Sequence, residues 1–94
     1  MEEMNQPSRE CEVLNAFGIH ARPAALFVTT ANRFKSDVFV EKDGIRVNGK
    51  SIMGLLTLEA HQGSTIVIFA RGADAAEAIE ALVKVVMVDK FNEE

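Results

Sequence analysis

Gly18-Ile19-His20-Ala21-Arg22-Pro23-Ala24-Ala25 is the stretch from which the rest of the chain is read. Pro23 suits the first turn of a helix, where its missing N–H would have had no partner, and Gly18 lets the incoming backbone bend. From residue 21 to about 34, Ala24, Phe27, Val28, Ala31 and Phe34 recur at helical spacing and form one apolar face. His20 therefore stands at the mouth of a new helix, beside free N–H groups and the positive end of the helix dipole. Arg22 adds a fixed positive charge. Such groups are expected to favour an uncharged, nucleophilic imidazole. Once a phosphoryl group is attached, the same groups stabilise its negative charge. A helix N-terminus contributes about 0.3–1 kcal/mol to an exposed anion, enough to bias a reversible transfer and too little to trap the group. The stretch reads as a histidine that accepts and passes on a phosphoryl group, not as one that merely packs at a helix start.

Working outward, residues 1–9 are polar, contain Pro7 and lack periodicity, which predicts a flexible arm. Residues 10–15 alternate as a strand with Cys11 and Val13 on one face. Beyond the helix, residues 37–41 form a strand, Asp43-Gly44 gives a two-residue hairpin turn, and residues 45–47 return. Asn48-Gly49 is a second turn, and Ser51 is placed to cap a short helix over residues 52–59. Residues 65–70 are apolar and β-branched enough for a central strand. Asp74 and Glu77 have the spacing of a capping box before a long helix, in which Ala75, Ile79, Leu82, Val83 and Val86 make the buried stripe. Residues 89–94 read as a charged, solvated tail. The order β-α-β-β-α-β-α favours an antiparallel sheet with helices on one face. A ferredoxin-like domain has a compatible order and hosts many unrelated functions.

Composition narrows the functions. Ninety-four residues suffice for one small core. A net charge of −4 argues against a nucleic-acid binder, which needs a basic face. With no Trp or Tyr, six Phe supply the aromatic packing. The single cysteine, Cys11, falls in a strand pattern and reads as a packed thiol. No apolar run is long enough to span a membrane, no leader is evident, and the cytoplasm is the expected compartment. Zinc-site spacing, a nucleotide loop and paired catalytic carboxylates are not found, so no metal or cofactor is expected.

A second segment, Asn48-Gly49-Lys50-Ser51-Ile52-Met53-Gly54-Leu55-Leu56-Thr57-Leu58, accompanies the histidine motif. Leu55 and Leu58 can serve the core from one face of the short helix. Ile52, Met53 and Leu56 would then form an apolar patch of the kind that marks docking sites, and Met suits a surface that meets several partners. Together the two segments resemble the histidine-containing phosphocarrier family (HPr) of the bacterial phosphoenolpyruvate-dependent sugar phosphotransferase system. The likeness covers residues 10–88 as one domain, between the arm at 1–9 and the tail at 89–94.

The resemblance implies an α+β open-faced β-sandwich: a four-stranded antiparallel sheet covered on one face by three helices. It implies that His20 is phosphorylated, on Nδ1 in the family, and that Arg22 helps hold the phosphate. The sequence itself does not distinguish the two ring nitrogens. Phosphorylated enzyme I would be the donor and enzyme IIA of sugar permeases the acceptor. Ser51 matches a regulatory serine that HPr kinase/phosphorylase modifies in many relatives, with a transcription regulator as a further partner. Ala21, Ala25, Ile52, Met53 and Leu56 match the docking face, and a monomer is expected because that face must be free. The protein would be a carrier phosphorylated by its partners rather than an enzyme. A regulatory or nitrogen-related phosphorelay without sugar transport is the alternative. A ferredoxin-like binding module is more remote; it would need a basic or aromatic sheet face, and Phe39 and Phe69 read as core.

Overall fold

The computed structural model describes residues 6–93. Strands β1 (Ser8–Glu12), β2 (Asp37–Lys42), β3 (Ile45–Asn48) and β4 (Thr65–Arg71) form one antiparallel sheet in the order β1-β4-β2-β3. Helices α1 (Ala21–Ala31), α2 (Ile52–Thr57) and α3 (Ala75–Val83) cover one face, giving the expected open-faced sandwich. Alternation decides which face. Cys11, Val38, Val40, Ile66, Ile68 and Ala70 are buried and point at the helices. Phe27, Ala24 and Ala31 of α1, Leu55 of α2 and Ala78, Ile79 and Leu82 of α3 meet them there.

The β2–β3 hairpin turns at Asp43 and Gly44, both with positive φ (53° and 82°), as a primed two-residue turn requires. The first strand begins at Ser8, so Ser8 and Arg9 lie in the sheet and not in the expected arm. The rest of that arm, residues 1–5, is outside the described residues. After Glu12 the pairing continues irregularly. Val13 donates to the Ser64 carbonyl and accepts from Gly63 N–H, which carries the chain toward the loop before α1.

Phe39 and Phe69 depart from the sequence expectation. They pair across β2 and β4 on the open face, outside the buried core, and are half-buried. The Arg46 guanidinium lies 4.2 Å from the centroid of Phe69 and 5.6 Å from that of Phe39, and Arg71 lies 5.6 Å from Phe39. Strand alternation forces this result. Val38 and Val40 already take the inward positions of β2, so Phe39 between them must face outward. The arginines cover the rings by cation–π contact.

The capping box before α3 does not form either. Asp74 precedes the helix but makes no side-chain bond to it. Its carboxylate instead accepts from the backbone N–H groups of Lys35 and Ser36 and from the Ser36 hydroxyl, tying α3 to the turn between α1 and β2. The Ser36 hydroxyl, followed by the two backbone donors, holds the Asp74 carboxyl below its ordinary value.

Past Val83 the helix widens into a π turn over Lys84–Val88, closed by Asp89 N–H to the Lys84 carbonyl. The extra residue lets Val85 and Val86 both face the core. The chain then turns sharply through Lys90, Phe91 and Asn92, all with positive φ (49°, 56° and 61°). Phe91 is only 2% exposed. The expected solvated tail is therefore a docked segment, because its lone apolar residue finds a slot in the core.

Candidate functional site

The loop before α1 is built by backbone contacts. Gly18 has φ +69°, and a Cβ there would sit 2.3 Å from the Ala60 carbonyl oxygen, so glycine is required. Ile19 N–H donates to that same carbonyl at 2.9 Å, fixing the approach to the helix. His20 occupies the N-cap with extended backbone (φ −96°, ψ −165°), and its carbonyl accepts the first helical bond from Ala24 at 2.9 Å. Its side chain makes no capping bond. The imidazole is thus free to turn outward, beside the unpaired first-turn N–H groups of Ala21 and Arg22.

The ring is 43% exposed and is met by Glu93. Glu93 Oε2 lies 3.0 Å from His20 Nε2, and Oε1 lies 3.4 Å from it. An ionised carboxylate can only accept, so Nε2 is the donor in this contact, and Nδ1 makes no side-chain bond among the described residues. This geometry supplies what the sequence left open, a physical difference between the two nitrogens. Glu93 Oε1 also accepts from Asn15 Nδ2 at 2.9 Å, and the same amide donates to the Gly18 carbonyl at 2.8 Å. Asn15 is fully buried, and its Oδ1 has no partner among the described residues. Phe17, 80% exposed, stands edge-on to the His20 ring at 6.3 Å between centroids.

Arg22 lies on the first turn of α1, exposed and without a hydrogen bond or ion pair among the described residues. Ser51 is the N-cap of α2, its Oγ accepting from Gly54 N–H at 3.0 Å. Lys50 beside it donates to the Phe34 carbonyl at 2.8 Å, which joins this turn to the end of α1. Of the expected docking residues, Ala21, Ile52 and Met53 are exposed, and Ala25 and Leu56 are half-buried. They lie on α1 and α2, which pack together, and Leu55 and Leu58 turn inward as expected. Among the described residues no cluster of His, Cys, Asp and Glu could hold a metal, and no helix is long and apolar enough to cross a membrane. Burial raises the Cys11 thiol above its ordinary value, as suits a packed side chain.

Sequence reasoning missed Asn15, Phe17, Phe91 and Glu93. A single Phe within a charged tail was the available signal for docking. Nothing local marked Glu93, because its partner lies 73 residues away.

Comparison with known proteins finds relatives across most of the chain. The family model described as "PTS HPr component phosphorylation site" matches residues 7–87. The HPr-like protein Crh of Halalkalibacterium halodurans is 55% identical over 75 residues, 80% of this chain and 89% of that protein. The phosphocarrier protein HPr of Neisseria meningitidis serogroup A is 52% identical over 71 residues, 76% of this chain and 80% of that protein. The crystal structure of HPr-C-His from Thermoanaerobacter tengcongensis superposes with a TM-score of 0.89 at 49% identity, covering 94% of this chain and 98% of that one.

Proposed function

The chain belongs to the HPr family of phosphocarriers of the phosphotransferase system, and we propose that His20 is the residue that carries the phosphoryl group. HPr proteins are carriers, not catalysts: the group is received on a histidine and passed to enzyme IIA, and the family implies phosphotransferase partners and regulatory kinases. The observation that carries the assignment to His20 is its place at the α1 N-cap with the side chain unspent on capping. His61, the other histidine, is exposed at a turn with no helix behind it.

Attack by Nδ1 places the incoming phosphoryl group near the α1 N-terminus. The free N–H groups and Arg22 offset the charge it brings, about −1.5 to −2 at neutral pH. Phosphoryl transfer rests mainly on positioning and charge stabilisation, so a small domain suffices when its partners supply the remainder. The specific partners proposed are phosphorylated enzyme I as donor and enzyme IIA as acceptor, in the cytoplasm. Ala21, Ala25, Ile52, Met53 and Leu56 form the proposed docking face. Ser51 is proposed as a regulatory phosphorylation site for an HPr kinase. A phosphate on the N-cap oxygen is compatible with the α2 terminus, and its charge would alter docking beside Ile52 and Met53.

The test is intact mass after incubation with phosphoenolpyruvate and enzyme I. The wild type is expected to gain one acid-labile phosphoryl group and His20→Ala none. A His20→Ala variant that still gained the group would move the site elsewhere.

A further inference from the structure

We propose that the open face of the sheet docks a second copy of this chain, giving a back-to-back, two-fold dimer. Strand register arranges the side chains of this face in rows across the sheet. Phe69 of β4 and Phe39 of β2 stand side by side in the middle row, both half-buried. The row on one side of them begins at Glu10 on β1 and ends at Arg46 on β3. The row on the other side pairs Arg71 of β4 with Asp37 of β2. Alternation keeps Glu10 on the open face, since its neighbour Arg9 turns to the helix side and pairs with Glu80. The aromatic centre invites a nucleic-acid reading, but the charges exclude it. Glu10, Glu12, Asp37 and Glu41 outnumber Arg46 and Arg71, so the face repels a polyanion.

The pattern is instead complementary to itself. A two-fold axis parallel to the strands, between β4 and β2, exchanges left and right and leaves each row at its own height. It sets β1 over β3 of the second copy and β4 over its β2, as two aligned sheets about 10 Å apart. Glu10 of each copy then meets Arg46 of the other. Phe69 of each meets Phe39 of the other, flanked by the Arg46 guanidinium that already lies 4.2 Å from its own Phe69. The Arg71–Asp37 pair, 3.4 Å apart within one chain, lies across its own reversed image, so the four charges alternate around a ring. Phe and Arg are residue types that anchor interfaces. The face is small, with a projected footprint of roughly 300 Å² against roughly 800 Å² per partner in a standard interface. The dimer is therefore weak and reversible. The helices cover the opposite face, so α1, α2 and His20 of both copies stay open to other proteins.

The experiment is sedimentation velocity over roughly 10 µM to 1 mM protein, with amide chemical shifts followed over the same series. Wild type should shift from monomer toward dimer, with shifts moving at Phe39, Arg46 and Phe69 and not at His20. Glu10→Arg and Arg46→Glu should each weaken the dimer about tenfold or more, because each places like charges opposite one another twice. Glu10→Arg together with Arg46→Glu should restore it. Within one chain these two residues are three strand spacings apart, about 14 Å, so rescue reports a contact between copies. Urea denaturation checks that each variant folds. Glu10→Arg leaves the Arg46–Phe69 stack intact and decides the matter alone if Arg46→Glu does not fold. A monomer at every concentration, a dimer indifferent to Glu10→Arg, or a folded double variant without rescue would overturn the proposal. So would shifts at Phe39 and Phe69 on adding a single-stranded oligonucleotide, which would give the face to nucleic acid.

Discussion

At the scale of single residues, Gly18 sets the site. No L-residue adopts φ +69° there without strain, and any Cβ meets the Ala60 carbonyl. That carbonyl also receives Ile19 N–H, so relieving the clash would displace the residue next to His20. Gly18→Ala is expected to destabilise the fold by more than about 1 kcal/mol and to slow phosphoryl transfer, checked by urea denaturation and by the transfer assay. Asp74 makes a different case. Its folded-state value lies below the ordinary 3.8, first through the Ser36 hydroxyl and then through the backbone donors. A depressed carboxyl contributes stability that is complete above its unfolded value and disappears as pH falls through its folded one. Asp74→Asn should therefore unfold at lower urea than wild type at neutral pH, with the gap closing in strong acid. A gap that stayed constant across that range would contradict the linkage.

Between elements, the sequence was most legible where one local rule acted alone. The α1 stripe, the Ser51 cap and the Asp43-Gly44 hairpin each follow from a few neighbouring residues, and each is present in the structure. Legibility failed where two rules competed for one side chain. Asp74 had the spacing of a cap, but three donors from the turn before β2 offered a better-satisfied carboxylate. Phe39 was apolar enough for the core, but alternation with Val38 and Val40 placed it outward under Arg46 and Arg71. The exposed side of α2 carries the prediction at this scale. Met53 is 72% exposed and contributes little to packing. Met53→Glu should leave thermal stability within about 0.5 kcal/mol of wild type. It should weaken productive encounter with enzyme I about tenfold, read as an increase in KM.

For the molecule as a whole, the candidate site was half legible. His20, Arg22 and the mouth of α1 are contiguous in sequence, so local chemistry reveals them together. Asn15 and Glu93 join them only after the sheet has brought β1 and the end of α3 to the same side of the domain. No window of sequence contains that juxtaposition. The π turn at Lys84–Val88 decides where this closure ends. Each residue in an ordinary helix rotates the chain by about 100° and advances it by about 1.5 Å. One residue fewer in that turn would send the exit of α3 toward another quadrant, with Phe91 off its slot and Glu93 away from the imidazole. The irregular winding acts as a gunsight, and the spacing between α3 and the tail is an adjustable range by which insertions or deletions of single residues could connect the carboxylate to the histidine or disconnect it, leaving the sheet and the α1 mouth untouched.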